Sequence, residues 1–250
     1  MLGMIPGNGH PYSWAAIVNG YEPDLIAQCP YPVINDYLGA QPDGSVGIAG
    51  AEVTHIWTDD PADAPQVAAA SKISHVVPRM EDVIGEVDAV IISTDDGADH
   101  VRRARPFVEA GLPVFVDKPM ATTLDELKQF ARWQREGARI LSSSGMRYAP
   151  EAAELRGLEW RWLTSFTCKT WERYGIHALE PVYTVTGPGY LDVRTEAQDG
   201  SDLVHCRHTN GTQATIAAIH DAVGSFGVIH AYGVTNHRTV AMRDTYSAFR

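Results

Sequence analysis

Residues 87–119 constrain this chain more than any other stretch: they read VDAVIISTDDGADHVRRARPFVEAGLPVFVDKP. The apolar run over 89–92 is too short and too β-branched for a helix, and it breaks at Ser93, Thr94, Asp95, Asp96 and Gly97, as a buried parallel strand does. Over 99–110 the apolar residues Val101, Ala104, Phe107 and Val108 recur at helical spacing, Gly111 follows as a C-cap, and a second apolar run opens at Pro113. This is one βαβ unit. Such units form right-handed crossovers in an open sheet that binds ligands beyond the carboxyl ends of its strands. The polar cluster Ser93–Asp96 and the later Asp117, Lys118 and Pro119 are therefore expected at one ligand-facing edge.

The order of strand, Ser/Thr-rich turn, His100, helix, Ala110-Gly111, strand and Asp117-Lys118-Pro119 resembles the Gfo/Idh/MocA oxidoreductases. Members of that family carry Glu-Lys-Pro at this place and mostly act on sugars or cyclitols with a nicotinamide cofactor. The resemblance runs, with gaps, from about Leu2 to near the C-terminus. It implies a Rossmann-type doubly wound parallel sheet over 1–145 that binds the dinucleotide. An α+β domain with a mainly antiparallel sheet, over 146–250, would follow for substrate binding and oligomerisation. A homodimer or higher homo-oligomer through that second sheet is implied as well.

Composition narrows the partners. With 20 Lys and Arg against 31 Asp and Glu, the 250-residue chain carries a net charge of −11, which argues against nucleic acid or an anionic membrane as partner. Cys29, Cys168 and Cys206 lie far apart without CxxC or zinc-like spacing, so a reducing cytoplasm is the expected compartment. Neither an export signal nor a membrane span is expected from the apolar patterning.

At the N-terminus, the short apolar segment 2–5 runs through Gly7, Asn8, Gly9 and His10 toward an apolar helix. A strand turning through glycines into a helix lets backbone N–H groups approach a pyrophosphate. Gly7 and Gly9 supply two glycines of a GxGxxG fingerprint, and Tyr12 stands at the third position. Tyr12 is assigned to substrate and His10 to cofactor; the plainer alternative is that both pack and cap the helix. Residues 21–50 read as a long irregular excursion with one short helix near 33–38. Residues 51–57 alternate as a strand and end in Thr58, Asp59 and Asp60, where an acid would accept hydrogen bonds from the adenosine ribose and favour NAD, with NADP as the alternative. Asp59 is the first choice and Asp60 the second, and the same acids also suit a helix cap. Short strands over 74–77 and 139–141, a short helix over 80–84, and a helix opened by a Thr123–Glu126 capping box complete the first domain.

Beyond 149 the texture changes. A helix is expected over 149–156, strands over 159–169, 203–219, 226–234 and 238–242, and a hairpin turn at Asn210-Gly211-Thr212. Residues 174–183 resemble the family's Gly-x-His-x-x-Asp helix, with His177 and Glu180 at the matching places. The chain stops where relatives continue, which implies either a longer protein or a pared-down member.

Hydride exchange with a carbinol needs a group that moves the hydroxyl proton. Lys118 and His177 take that role by resemblance, although the family's Asp four residues before the His is Arg173 here. Beside Lys118, the cofactor is assigned Gly7, Asn8, Gly9, His10, Asp59, Ser93, Thr94, Asp95, His100 and Asp117. The substrate, a small carbohydrate-like molecule, is assigned Tyr12, Arg147, Lys169, Trp171, Arg173, Tyr174 and His177. His205 and His208 are odd-spaced and point to opposite faces of one strand, so no metal site is assigned there. Residues 142–144 lack a nucleophile elbow. The leading reading is an NAD(P)-dependent oxidoreductase acting on a sugar, sugar acid, cyclitol or sugar nucleotide. The alternatives are a redox-neutral enzyme with tightly held NAD (epimerase, lyase or glycosidase type) and an inactive scaffold of the same fold.

Overall fold

A computed structural model describes residues 1–42, 44–222, 227–243 and 248–250. It divides into two compact units, Met1–Ser142 and Ser143–Phe249.

The first unit runs α1 (His10–Asn19), α2 (Pro23–Ile26), α3 (Pro32–Gly39), β1 (His55–Ile56), α4 (Asp63–Ala70), β2 (His75–Val76), a 3₁₀ turn at Met80–Val83, β3 (Val90–Ile92), α5 (His100–Glu109), β4 (Val114–Val116), α6 (Leu124–Arg135) and β5 (Ile140–Leu141). All strand pairs are parallel, β1 with β2 and β3 with β4 with β5. Leu2 joins the two ladders, bridging Trp57 on one side and Ile92 on the other. Its amide donates to Ile91 O at 2.8 Å, and its carbonyl accepts from Ser93 N at 3.0 Å. With Leu2 as the first strand, the spatial order by position in the chain is 3-2-1-4-5-6, the doubly wound dinucleotide-binding order. The core beneath holds Leu2, Ile92, Phe107, Val116 and Phe130, all almost fully buried.

The strand expected over 51–57 contracts to His55–Ile56 plus the Trp57 bridge. Its start is diverted because both backbone groups of Val53 bond the side chain of Asn19, N–H to Oδ1 at 2.8 Å and C=O from Nδ2 at 2.9 Å. The capping box forms as read. Thr123 accepts from Glu126 N, and Glu126 returns bonds to the amides of Thr122 and Thr123. Burial of Glu126, which pushes its carboxyl up, is outweighed by these bonds, and the group sits below the ordinary glutamate range.

The second unit opens with a 3₁₀ turn at Gly145–Tyr148 and continues α7 (Pro150–Ala153), β6 (Trp162–Cys168), α8 (Trp171–Thr186), β7 (Tyr190–Gln198), β8 (Ser201–His208), β9 (Gln213–Ile219), β10 (Val228–Tyr232) and β11 (His237–Ala241). These strands make one sheet in the order β11-β10-β6-β9-β8-β7, antiparallel except for β6 with β9. Leu163, Val204, Ile216 and Ile229 alternate inward and form a core with Ala178 and Val182 of α8. Asn210 turns β8 into β9, its Oδ1 accepting from Thr212 N at 2.9 Å. The helix expected over 149–156 stops at Ala153, because the next amides of Leu155 and Arg156 bond three residues back instead of four. Phe226, read with the strand over 226–234, lies outside the described residues. No described helix is long and apolar enough to cross a membrane.

Candidate functional site

In the first unit the carboxyl edge gathers four turns. The first follows Leu2. Gly7 has φ +82, and a Cβ on Gly9 would meet the Tyr31 ring at 2.7 Å, so both positions require glycine. Asn8 is buried and fastens this loop to the turn after β3: its Nδ2 donates to Ser93 O at 2.9 Å and Asp95 Oδ1 at 3.2 Å, and its Oδ1 accepts from His10 N at 2.8 Å. His10, the first residue of α1, stacks on Trp14 one turn later, ring centroids 4.6 Å apart. Its Nδ1 lies 2.5 Å from Oδ2 of the fully buried Asp117, whose Oδ1 accepts from Lys118 N at 2.6 Å. The glycine loop, the Ser-Thr-Asp turn and the Asp-Lys-Pro turn are thus one hydrogen-bonded assembly. Lys118 follows at 4% exposure.

Asp59 stands after β1, at the end of the second strand in the chain, as expected for a ribose acceptor. Its carboxylate already has protein partners: Oδ1 pairs with Arg103 Nη2 at 2.5 Å and Oδ2 accepts from Met4 N at 3.0 Å. Arg103, almost fully buried on α5, also bonds Asp99 and lies over the Trp57 ring. Asp60 closes the turn before α4, its Oδ1 accepting from Ala62 N at 2.9 Å. The two adjacent acids have therefore divided: Asp60 serves the turn while Asp59 stays at the edge. Arg103 escaped the sequence reading, although its i,i+4 spacing from Asp99 was a signal.

Three of the assigned residues turn their side chains inward. Tyr12, assigned to substrate, is 4% exposed and turned into the unit; burial, with Cys29, Asp63 and Tyr31 adding to it, pushes its phenol up to about 12. His100, assigned to cofactor, is fully buried with its ring nitrogens on the carbonyls of Thr94 and Met120, so it ties two turns together. The Ser93 hydroxyl donates to Gly3 O at 2.7 Å and is internal to the sheet edge. Thr94 Oγ1, by contrast, is buried there without a hydrogen-bond partner among the described residues.

The second unit carries its own cluster, on α8 and the segment before it. His177 and Glu180 share one helix face, three residues apart. His177 Nδ1 lies 2.7 Å from Ser144 Oγ, which also accepts from Met146 N at 3.1 Å. Glu180 accepts from the Ser144 backbone and pairs with Arg147 Nη2 at 2.5 Å. Its burial outweighs both partners and holds the carboxyl above the ordinary glutamate range. Arg147, assigned to substrate, is thereby engaged with Glu180 and lies 4.9 Å from the Tyr183 ring centroid. Tyr174 packs edge-on to His177 at 5.1 Å, and Lys169 Nζ donates to the Tyr174 hydroxyl at 2.8 Å. Trp171 lies flat against Gly175, where a Cβ would meet its ring at 2.6 Å, and Arg173 is exposed. Ser144 escaped the sequence reading, which weighed it only as a nucleophile.

Residues 34–144 match the family model described as the oxidoreductase family with NAD-binding Rossmann fold, Gfo/Idh/MocA. A curated relative, inositol 2-dehydrogenase 3 of Saccharopolyspora erythraea, is 32% identical over 103 residues, 40% of this chain and 30% of that protein. The match thus spans about a third of the relative's length. Among solved structures, UDP-N-acetylglucosamine 3-dehydrogenase from Acidithiobacillus ferrooxidans superposes with a TM-score of 0.69 at 16% identity, covering 99% of this chain and 84% of that one. An Agrobacterium radiobacter oxidoreductase, solved with NAD⁺, L-tartaric acid and magnesium, gives 0.67 at 16% identity, covering 78% and 68%. At these identities the superpositions speak for the fold alone, and the sequence likeness is confined to the matched segment. Over residues 34–144 the chain is thus similar to the NAD-binding Rossmann domain of the Gfo/Idh/MocA oxidoreductases.

Proposed function

We propose that this protein is an NAD-dependent oxidoreductase that interconverts a hydroxyl and a carbonyl on a sugar, sugar acid, cyclitol or sugar nucleotide. The observation carrying this reading is the 3-2-1-4-5-6 order through Leu2, which brings the glycine loop, the Ser93–Asp95 turn and Lys118 to one carboxyl edge. The edge fits a dinucleotide in two respects. Nothing lies within 4 Å of where a Cβ on Gly7 would stand, so a ligand can approach the loop backbone there, and among the described residues the Thr94 hydroxyl lacks a partner that a bound group would supply.

In this reading Gly7, Asn8, Gly9 and His10 face the pyrophosphate and Asp59 the ribose. Bound NAD would supply the hydride acceptor and donor. Lys118 exchanges the substrate's hydroxyl proton, and Lys169, Trp171, Arg173, Tyr174 and His177 orient the substrate. The dehydrogenase relatives, named for inositol and a UDP-sugar, support a polyhydroxylated substrate. We also assign the protein to the cytoplasm, as a homo-oligomer formed through the second unit's sheet.

One feature favours a second reading, a scaffold without cofactor. The loop has spent some of its donors, since His10 N–H is taken by Asn8 and Pro11 has none, and Asp59 is already ion-paired. Calorimetric titration with NAD⁺, NADH, NADP⁺ and NADPH separates the two. Binding of NAD(H), weakened in Lys118→Ala and Asp59→Ala, supports the oxidoreductase and justifies a screen of sugars and cyclitols. Nicotinamide retained through purification, with turnover but no net absorbance change, points to a redox-neutral enzyme. An empty protein that binds none of the four sinks both cofactor readings.

A further inference from the structure

His177 and Ser144 meet in a buried contact whose protons can be assigned by counting. A serine hydroxyl has one hydrogen to donate and two lone pairs to accept with. One lone pair of Ser144 Oγ is taken by the Met146 amide at 3.1 Å, and the remaining partner among the described residues is His177 Nδ1 at 2.7 Å. If Nδ1 carried the hydrogen, the Ser144 O–H would be left without an acceptor at a residue 1% exposed, which is costly. If Ser144 donates to a bare Nδ1, every group in the contact is satisfied. A neutral imidazole then carries its hydrogen on Nε2.

Ser144 is held for this purpose from several directions. It is the N-cap of the Gly145–Tyr148 turn, and its own backbone is bonded to Glu180, which Arg147 pairs with. His177 and Glu180 lie on one face of α8, so a single helix face fixes both the serine backbone and the ring that its hydroxyl contacts.

We infer that Ser144 is a positioning residue that fixes neutral His177 as the Nε2–H tautomer, making it a hydrogen-bond donor to the substrate oxygen rather than the base. Its bearing on catalysis rests on the proposed oxidoreductase reading; the tautomer itself does not. In carbinol oxidation the carbon gives a hydride to the oxidised nicotinamide and the oxygen gives a proton to a base. An imidazole with hydrogen on Nε2 and a donor on Nδ1 has no lone pair for that proton. The proton therefore goes to a base other than His177, the role that the proposed function gives to Lys118, and returns from that base when the carbonyl is reduced.

Long-range ¹H–¹⁵N spectra of the full-length protein, labelled at histidine, read the tautomer with neither cofactor nor substrate present. His177→Gln identifies the signal by its disappearance. The expected wild-type pattern is a protonated Nε2 and a bare Nδ1, and Ser144→Ala converts it to a mixture. Ser144→Cys, whose thiol is a weaker donor, gives an intermediate mixture. Where turnover is measurable, Ser144→Ala lowers kcat by about tenfold to a hundredfold with KM nearly unchanged, the scale seen when an outer hydrogen bond orienting an imidazole is lost. A wild-type spectrum with hydrogen on Nδ1 overturns the inference whatever the variants do. A spectrum unchanged in both folded Ser144 variants overturns it too. An Nε2–H tautomer in a protein that binds no nicotinamide would leave the contact as described and remove the oxidoreductase reading instead.

Discussion

Nδ1 of His10 lies 2.5 Å from Oδ2 of Asp117, across 107 residues of chain, and joins the glycine loop to the turn that carries Lys118. Asp117 stands where the family carries Glu, and the histidine reaches the shorter carboxylate from the start of α1. Stacking on Trp14 holds the ring in place.

His10→Ala leaves the buried Asp117 carboxylate with the Lys118 amide as its one remaining donor among the described residues, and should cost about 1–3 kcal/mol in urea unfolding. Asp117→Asn should cost a similar amount. The double variant should cost clearly less than the sum, because the two residues share one interaction. Additive costs would mean that the pair is not coupled in solution.

The ion pair of Asp99 with Arg103, which also holds Asp59, gives a pH dependence with a definite sign through Asp99. Burial pushes the Asp99 carboxyl up, but the bonds and charges of Arg102 and Arg103 outweigh it and hold it below the ordinary aspartate range. A depressed folded-state value contributes stability above the unfolded value, about pH 4, which is lost as pH falls through the folded one. Arg103→Met should lower stability at neutral pH by about 3–5 kcal/mol, as breaking a buried pair does, and flatten the fall in Tm in acid. Equal acid slopes in the variant and wild type would show that the pair does not set the pH dependence. The same geometry makes Asp59→Ala destabilising by itself, so its nucleotide affinity should be read alongside its Tm.

Gly175 is the contact through which Trp171, at the head of α8, settles against its own helix. Gly175→Ala places a methyl 2.6 Å from the ring, and overpacking of this kind costs about 1–3 kcal/mol although alanine is the better helix former. The opposite outcome, a higher Tm from helix propensity, would mean that Trp171 is not seated there. Trp171 fluorescence in a chain with the other tryptophans retained should shift with the variant if the ring is displaced.

What the sequence made legible was local. Apolar runs broken by Ser93–Asp96 and by Asp117 announced two strand ends at one edge, and Thr123 with Glu126 announced a helix start. What stayed hidden depended on distant partners. Leu2 is the central strand of the first unit, yet it is one residue long and shows no periodicity. Arg103 reaches Asp59 across 44 residues and Ser144 reaches His177 across 33, so neither pairing leaves a spacing to read. β7 was missed because it is an edge strand exposed on both faces, so its apolar Leu191 and Val193 mark no buried side. The inward placement of Tyr12 and His100 was hidden for a related reason: residue type suggested contact with a ligand, and only burial shows that they face inward.

The face of the second unit's sheet opposite α8 provides the remaining test. Trp162, Thr164 and Phe166 of β6 alternate with the inward Leu163 and Ser165, and the register sets Trp162 beside Tyr232 of β10 and Gln213 of β9. Trp162 and Tyr232 are exposed there, as is Ile219 at the far end of β9. Large aromatic side chains side by side on an open sheet face are what a homo-oligomer interface would cover. Trp162→Glu puts a charge at the centre of that pair while leaving the inward face untouched. It should convert an oligomer to a monomer in light scattering after size exclusion, with Tm falling through loss of assembly and becoming independent of protein concentration. A wild type that is monomeric at all concentrations, or an oligomer unaffected by Trp162→Glu, would place the interface elsewhere or remove it.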